Sequence, residues 1–420
     1  MNRKWWLFFL VLALAATPLL VLAQDAVEPP PGFASWDEVL EQARGQTVNW
    51  YLWGGSDAIN SFVDETYGVP LQEEFGITLN RVPLADTVDA VNQVLSESEA
   101  GVDENSGTID LIWINGENFF TLQQANLLYG PWAENIPNSA LVDWENPAIN
   151  LDFGRPVNGM ESPWSSAQFN FIYDTARMSA EDLPRSYAEL GEWIMANPGR
   201  FTYIAPGPGN FLGTRFVKQM FFEICGGQEQ FVGEFNQELY DECAPQVWEV
   251  LNAWEPYLWR EGQTYAGSEA ELHELFANAE VDFDFTNSPS GASSFIASGQ
   301  VPETAGAFAF SENMIGDYNY VAIPYNAPNK AAALVLADLI LRPDRQAIMA
   351  QPANGFCCGW AIDANRVTDE AGIAAIEEAM NNLGTAAAPA ADLAASLVSD
   401  IAPEYQSLIE ADWEANVLRQ

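Results

Sequence analysis

The chain predicts an α/β fold of two lobes, each with a mixed, mostly parallel sheet flanked by helices. Three observations carry that prediction. Through the first 150 residues a strand, a polar glycine-bearing turn and a helix recur, the pattern of a parallel sheet covered by helices. The 420 residues exceed one ordinary domain and suit two lobes. The composition is 48% hydrophobic with 15 Trp, enough apolar material for two cores although 59 acidic residues face 16 basic ones.

The elements follow in order. Arg3 and Lys4 precede an apolar run over residues 5–22, interrupted only at Thr17 and Pro18 and ending at Ala23. That is a secretory signal peptide over residues 1–23. A retained anchor is the competing reading, since about 18 apolar residues can just span a bilayer. Pro18 and the Ala-ending site favour cleavage, and Gln24 in place of Cys excludes a lipoprotein signal. The mature protein is therefore expected in the periplasm or outside the cell, away from ATP and NAD(P)H.

Ser35 and Glu38 form a capping box that opens a helix through residue 43. A strand over 47–53 runs into Gly54-Gly55-Ser56, a helix covers 57–74, Gly76 ends it, and a strand covers 77–84. A helix over 86–96, a buried strand over 109–114 and a helix from 117 complete the pattern. A Pro/Asn-rich stretch, 131–158, precedes a strand-like run over 166–173. Beyond it a helix ends near 196, a strand covers 200–205, and a Pro/Gly loop leads through Gly213 into a helix. Helices over 246–260 and 268–279, strands over 281–285 and 319–324, a helix over 330–341 and a largely helical C-terminal region follow.

Charge and cysteines narrow the chemistry. The net charge of -43 becomes -45 once Arg3 and Lys4 leave, which argues against nucleic acid as a partner. The field suits either a cationic ligand or solubility in a salty or acidic medium. Cys225 and Cys243 flank a polar stretch and are expected to pair, worth about 3 kcal/mol in the entropic account. Cys357 and Cys358 are adjacent and could form a strained vicinal bridge, stay reduced or cross-pair. Without Cys-x-x-Cys, and with His273 as the one histidine, a metal centre or thiol-redox site is not expected. His273 reads as a solvated residue of its helix. Neither Gly-x-Ser-x-Gly nor a phosphate loop of Walker spacing is present.

In a parallel sheet ligands sit beyond the carboxyl ends of the strands. The turns at Trp53, Gly54, Gly55 and Ser56 and at Asn115, Gly116 and Glu117 are therefore candidate site pieces, although plain turn chemistry needs the same glycines. Gly213 and Thr214 open a helix after a Pro/Gly loop. Trp53, Trp113 and Trp164 lie at strand ends, with Asn115, Glu117, Asp284 and Asp317 as acceptors, a set that favours a cation by ring and charge contacts. The turns hold no Arg or Lys, the nearest being Arg215 and Lys218, so an oxyanion is the weaker guess.

With these residues in view the chain resembles the extracellular solute-binding proteins of ABC importers, family 1, with a type II periplasmic-binding-protein fold, and within them the YnjB-like subgroup. The segments that carry the resemblance include Asp110-Leu-Ile-Trp-Ile-Asn-Gly-Glu-Asn-Phe119, Leu127-Leu-Tyr-Gly-Pro-Trp132, Asn197-Pro-Gly-Arg-Phe-Thr-Tyr203 and Val321-Ala-Ile-Pro-Tyr-Asn326. The resemblance implies two lobes joined by two crossing segments, 163–173 and about 319–325, that close on a ligand. It implies lobe 1 over 24–162 and 319–345, lobe 2 over 163–318, and a helical region over 346–420. It places the ligand on Trp53 to Ser56, Asn115 to Glu117, Trp164, Gln168, Gly213, Thr214, Thr286 and Asn287, to which Asp317 is added as an acceptor. The function implied is capture of a small solute by a monomer without cofactor or enzymatic activity, and delivery to membrane permease subunits. The solute expected is cationic or neutral and organic, thiamine-like or polyamine-like. The alternative is a secreted α/β hydrolase, which would need His273 beside a nucleophile. The tail departs from the family, since residues 352–360 carry Cys357 and Cys358 where no cysteine is expected.

Overall fold

The computed structural model describes residues 28–55, 57–207, 210–351, 359–384 and 386–418. The expected signal peptide, Ser56, Cys357 and Cys358 lie outside them. Among the described residues no helix is long and apolar enough to cross a membrane.

Lobe 1 is built on a sheet whose first strand, β1 (Thr47–Trp53), buries Val48, Trp50 and Leu52 on one face. It pairs in parallel with β2 (Thr78–Leu84) and β3 (Leu111–Ile114), so helices must carry the chain back between strands. Ser35 caps the first helix, Trp36–Ala43, accepting the Glu38 N–H at 3.2 Å. The helix expected over 57–74 is interrupted, because regular turns Asp57–Val63 and Val69–Phe75 flank a wide turn at Asp64–Gly68. Pro70 has no N–H to return to Thr66, whose carbonyl instead accepts from Arg345 at 3.2 Å. Gly76, at φ 70°, stops the last turn and redirects the chain into β2.

A short hairpin, β4 (Leu151–Asp152) and β5 (Arg155–Pro156), precedes the passage out of lobe 1. Along β6 (Glu161–Gln168) and β7 (Asn170–Asp174), Trp164 belongs to the lobe 1 core and Phe169 to the lobe 2 core. Lobe 2 adds β8 (Phe283–Thr286) and β9 (Ala305–Phe308), and β10 (Met314–Ala322) returns, from Met314 in one core to Val321 in the other. The first sheet runs β11 (Leu397–Val398), β10, β3, β1, β2, with β6 on β10 as well. The return thus starts at Met314, earlier than the expected 319, because β10 pairs with β6 from Gly316 onward.

Four further expectations are corrected. The second sheet, β8-β7-β9, is antiparallel at both pairings and not mostly parallel, since β7 enters from the hinge against its neighbours. Residues 200–205 form no strand. Their backbone bonds are scattered, one each to Asn197, Trp259 and Asp282 and two to Ala266, and only Ile204 makes a bridge. The helix expected over 246–260 spans Gln237–Trp254, capped by Asn236, with Pro245 inside it. The C-terminal region is not one unit: Ile376 and Ala379 pack in the lobe 1 core, whereas Leu393, Tyr405, Ile409 and Trp413 pack in the lobe 2 core. The chain therefore passes between lobes a third time, between Asn382 and Ala388. Cys225 and Cys243 form a disulfide with Cα atoms 5.9 Å apart.

Candidate functional site

The carboxyl ends of β1 and β3 open onto a recess of about 370 Å³ lined by Trp53, Asp86, Thr87, Trp113, Asn115 and Asn319, among others. Trp53 is 39% exposed, and Trp113 stands edge-on to the buried Trp164 with ring centroids 5.0 Å apart. A Cβ at Gly54 would collide with Pro83, and one at Gly55 with the Trp53 ring, so both glycines are needed to bring the turn this close. Asn115 donates to the Tyr318 carbonyl at 3.1 Å and to Asn319 Oδ1 at 3.3 Å, while its own Oδ1 is buried without a protein partner. Asp86 places a carboxylate on the rim, where it caps Val88 N–H at 3.0 Å.

Lobe 2 meets this edge through the helix Phe211–Ile224, which is buried nearly all round. Arg215 and Lys218, one turn apart, reach the same side. Lys218 Nζ donates to Asp400 at 2.8 Å and to Gln406 at 3.1 Å. Arg215 donates to Asn287 Oδ1 at 2.9 Å, pairs with Asp317 of β10, and lies 3.6 Å from Asp400. Phe211 covers the Arg215 guanidinium at 4.3 Å. Burial alone would raise the Asp400 carboxyl, but Lys218 and Arg215 outweigh it and hold Asp400 below the usual range. Burial dominates at Asp317 and raises it despite Arg215.

The β4–β5 hairpin bridges the two lobes. Asp152 accepts the Gly116 N–H at the start of the helix Gly116–Gln124 in lobe 1. Phe153 meets Phe211 of lobe 2 at 6.4 Å, and Arg155 faces Glu234 at 3.7 Å and Glu404 at 3.8 Å. Behind the hairpin Glu161 is fully buried with neither carboxyl oxygen partnered by protein. Burial, then the charge of Asp152, pushes Glu161 well above the ordinary glutamate value, and burial does the same to Asp152.

On the opposite face of β10 lies a separate cavity of about 400 Å³. Successive residues of a strand point to opposite faces, so Asn319 lines the Trp53 recess while Tyr318 lines this cavity. Ser166, Gln168, Ser290 and Trp360 line it as well.

The expected site residues are distributed as follows. Trp53, Gly54, Gly55, Asn115 and Gly116 gather at the lobe 1 edge. Glu117 is exposed beside them in a smaller recess with Arg155 and Glu404. Asp317 and Asn287 are engaged by Arg215, and Gln168 donates to the Leu393 carbonyl at 2.7 Å. Trp164, Gly213, Thr214 and Thr286 are not brought to an open surface. Trp164 is fully buried against Trp50, and a Cβ at Gly213 would strike the Ile204 carbonyl. Thr214 donates to Glu410 at 2.9 Å, and Thr286 accepts the Ser288 N–H at 3.1 Å.

His273 is a correction: it is buried, with Nδ1 2.6 Å from Asp284, Nε2 3.8 Å from Glu269 and its ring on Phe295. The buried face of its helix holds Leu272, His273, Leu275 and Phe276 and is wide enough to include the ring. Sequence reasoning missed the Arg215–Lys218 network and the Asp152 hairpin. The available signal was two cations one turn apart in a largely apolar helix, which demands buried acids.

Residues 66–357 match the family described as bacterial extracellular solute-binding protein. Protein YnjB of Escherichia coli strain K12 is 38% identical over 320 residues, 76% of this chain and 81% of that protein. Among solved structures, the spermidine/putrescine ABC transporter substrate-binding protein PotD from Streptococcus pneumoniae superposes with TM-score 0.57 at 12% identity, covering 88% of this chain and 99% of that one. The PBP AttC of Agrobacterium tumefaciens strain C58, open and unliganded, gives TM-score 0.58 at 15% identity, over 89% and 99%.

Proposed function

The chain belongs to the bacterial extracellular solute-binding proteins, and from that premise we propose that it captures a small organic solute between its lobes and delivers it to the permease subunits of an ABC importer. It does so as a secreted monomer, released by cleavage after Ala23, and without catalysis. The observation that carries the reading is the recess at the ends of β1 and β3. Two tryptophans, one carboxylate and several amides line it, with no basic side chain among the described lining residues. Such a lining favours a neutral or cationic solute, thiamine-like or polyamine-like, because rings attract cations on their faces and the amides pair its polar edge. The unpartnered Asn115 Oδ1 supports a donor on the solute.

The hydrolase alternative gains nothing from His273, whose two ring nitrogens face Asp284 and Glu269. Thermal unfolding against a panel of polyamines, vitamins, sugars and amino acids tests the proposal. A true solute at a hundredfold excess over Kd adds about 2.7 kcal/mol of stability. A flat response to every class would sink it.

A further inference from the structure

We propose that the cavity behind β10 is a second solute site, distinct from the Trp53 recess on the other face of the strand, and that it takes a small amphipathic molecule: a flat apolar or aromatic part with a neutral or positively charged head. This deepens the solute-capture reading and rests on it. The cavity's volume of about 400 Å³ falls in the range of small-molecule sites. Its walls come from three parts of the molecule. Ile149 and Ile362 belong to the lobe 1 core, Ala388 and Leu393 to the lobe 2 core, and Ser166 and Tyr318 to the two hinge strands. A molecule lodged there touches both lobes and both hinge strands, so the area it buries depends on the angle between lobes. That dependence is what a solute needs in order to bias closure.

The lining chemistry selects the class. The rings of Tyr318 and Trp360, both partly accessible, offer flat apolar faces, and alanines and leucines supply much of the remainder. Polar groups gather as Asp143, Asn146 and Asp363, with the Ser166 and Ser290 hydroxyls elsewhere on the wall. Among the described residues no lysine or arginine lines the cavity; Arg366, outside the lining, pairs with Asp143 at 2.6 Å and lies 3.5 Å from Asp363. Burial, and then the charges of Asp143, Asp317 and Asp363, push the Tyr318 phenol up, which keeps its hydroxyl a donor. An anion would lose its hydration beside two carboxylates that already share the one nearby cation, Arg366, between them. A sugar would leave hydroxyls unpaired on alanine and leucine. An aromatic cation matches both the rings and the acids.

Benzyltrimethylammonium, benzenesulfonate and putrescine serve as probes on the secreted full chain, with binding read by tryptophan fluorescence and thermal shift. Ala387→Trp fills the cavity from the half-buried Ala387, and Trp360→Ala removes one wall. The expected result is binding of benzyltrimethylammonium that weakens about tenfold in Trp360→Ala and in Ala387→Trp, with benzenesulfonate and putrescine each about tenfold weaker on wild type. The unliganded melting temperature checks that each variant folds, and either variant alone suffices. Three outcomes overturn the proposal: no binding of benzyltrimethylammonium at millimolar concentration, equal binding of benzenesulfonate, or affinity unchanged in a folded Ala387→Trp. Native mass spectrometry separates this from the broader reading. A solute retained equally by wild type and Ala387→Trp removes the cavity but keeps solute capture, whereas wild type retaining none from its growth medium removes capture itself.

Discussion

The two lobes turn a chain into a helix by the same device, a glycine-bearing turn, and arrive at opposite states. In lobe 1 the turns at Trp53 and Asn115 open on a recess, and the helix Gly116–Gln124 buries only Gly116, Phe119 and Leu122. In lobe 2 the helix start at Gly213 is sealed, because the helix Phe211–Ile224 buries eleven residues and Thr214 is tied to Glu410 of the C-terminal helix Pro403–Trp413. A helix start is a ligand site only where its first turn keeps one side free. Lobe 2 gives that side to a charge network that joins its helix to β10, so of these two helix starts only the one in lobe 1 adjoins an open recess.

The largest effect expected lies in the sealed half. Asp400→Ala leaves Lys218 and Arg215 buried with less countercharge and is expected to cost about 3–5 kcal/mol in urea unfolding. Asp400 is held below the usual aspartate value, so its contribution is full above the unfolded value and lost as pH falls through the folded one. The gap between wild type and variant should close in strong acid; a cost under about 1 kcal/mol at neutral pH would show the network to be ornamental to the fold.

Next is Glu161→Met. The raised Glu161 carboxyl binds its proton more tightly when folded, so wild type loses stability as pH rises above the unfolded glutamate value. The apolar variant should gain about 1–3 kcal/mol at pH 8 and little at pH 4. An equal change at both would mean the carboxyl has a partner when folded.

His273→Leu follows. Burial lowers the imidazole value, but the hydrogen bond and charge of Asp284, helped by Glu269, outweigh it and leave His273 raised. Its contribution is present below the unfolded histidine value and fades as pH rises through the folded one. The variant should lose about 1–2 kcal/mol at pH 5.5 and less at pH 9, seen in parallel melts; a loss independent of pH would point to packing on Phe295 alone.

Trp53→Ala should move stability least, within about 0.5 kcal/mol, because Trp53 is exposed. It should nonetheless weaken solute binding about tenfold by titration calorimetry. Unchanged affinity would remove the recess from the site.

What the sequence made legible is local. The Ser35 cap, β1 with its Gly54-Gly55 turn, the Asn115 turn and the Cys225–Cys243 bridge all depend on neighbours within a short stretch. What escaped depends on distance along the chain. Lys218 finds Asp400 across 182 residues, and Gln168 finds Leu393 across 225. The hairpin around Phe153 has two-residue strands, too short for any periodicity. Trp164 and Trp53 both sit near strand ends, yet only the packing of Trp50 and Trp113 around Trp164 decides which is core.

X-ray scattering on the purified chain, first freed of solute and then saturated with a molecule that stabilises it, is the decisive measurement. The radius of gyration is expected to fall on saturation, with the contraction lost in Trp53→Ala at the same solute concentration. A stabilising solute that leaves the scattering profile unchanged would contradict capture between the lobes.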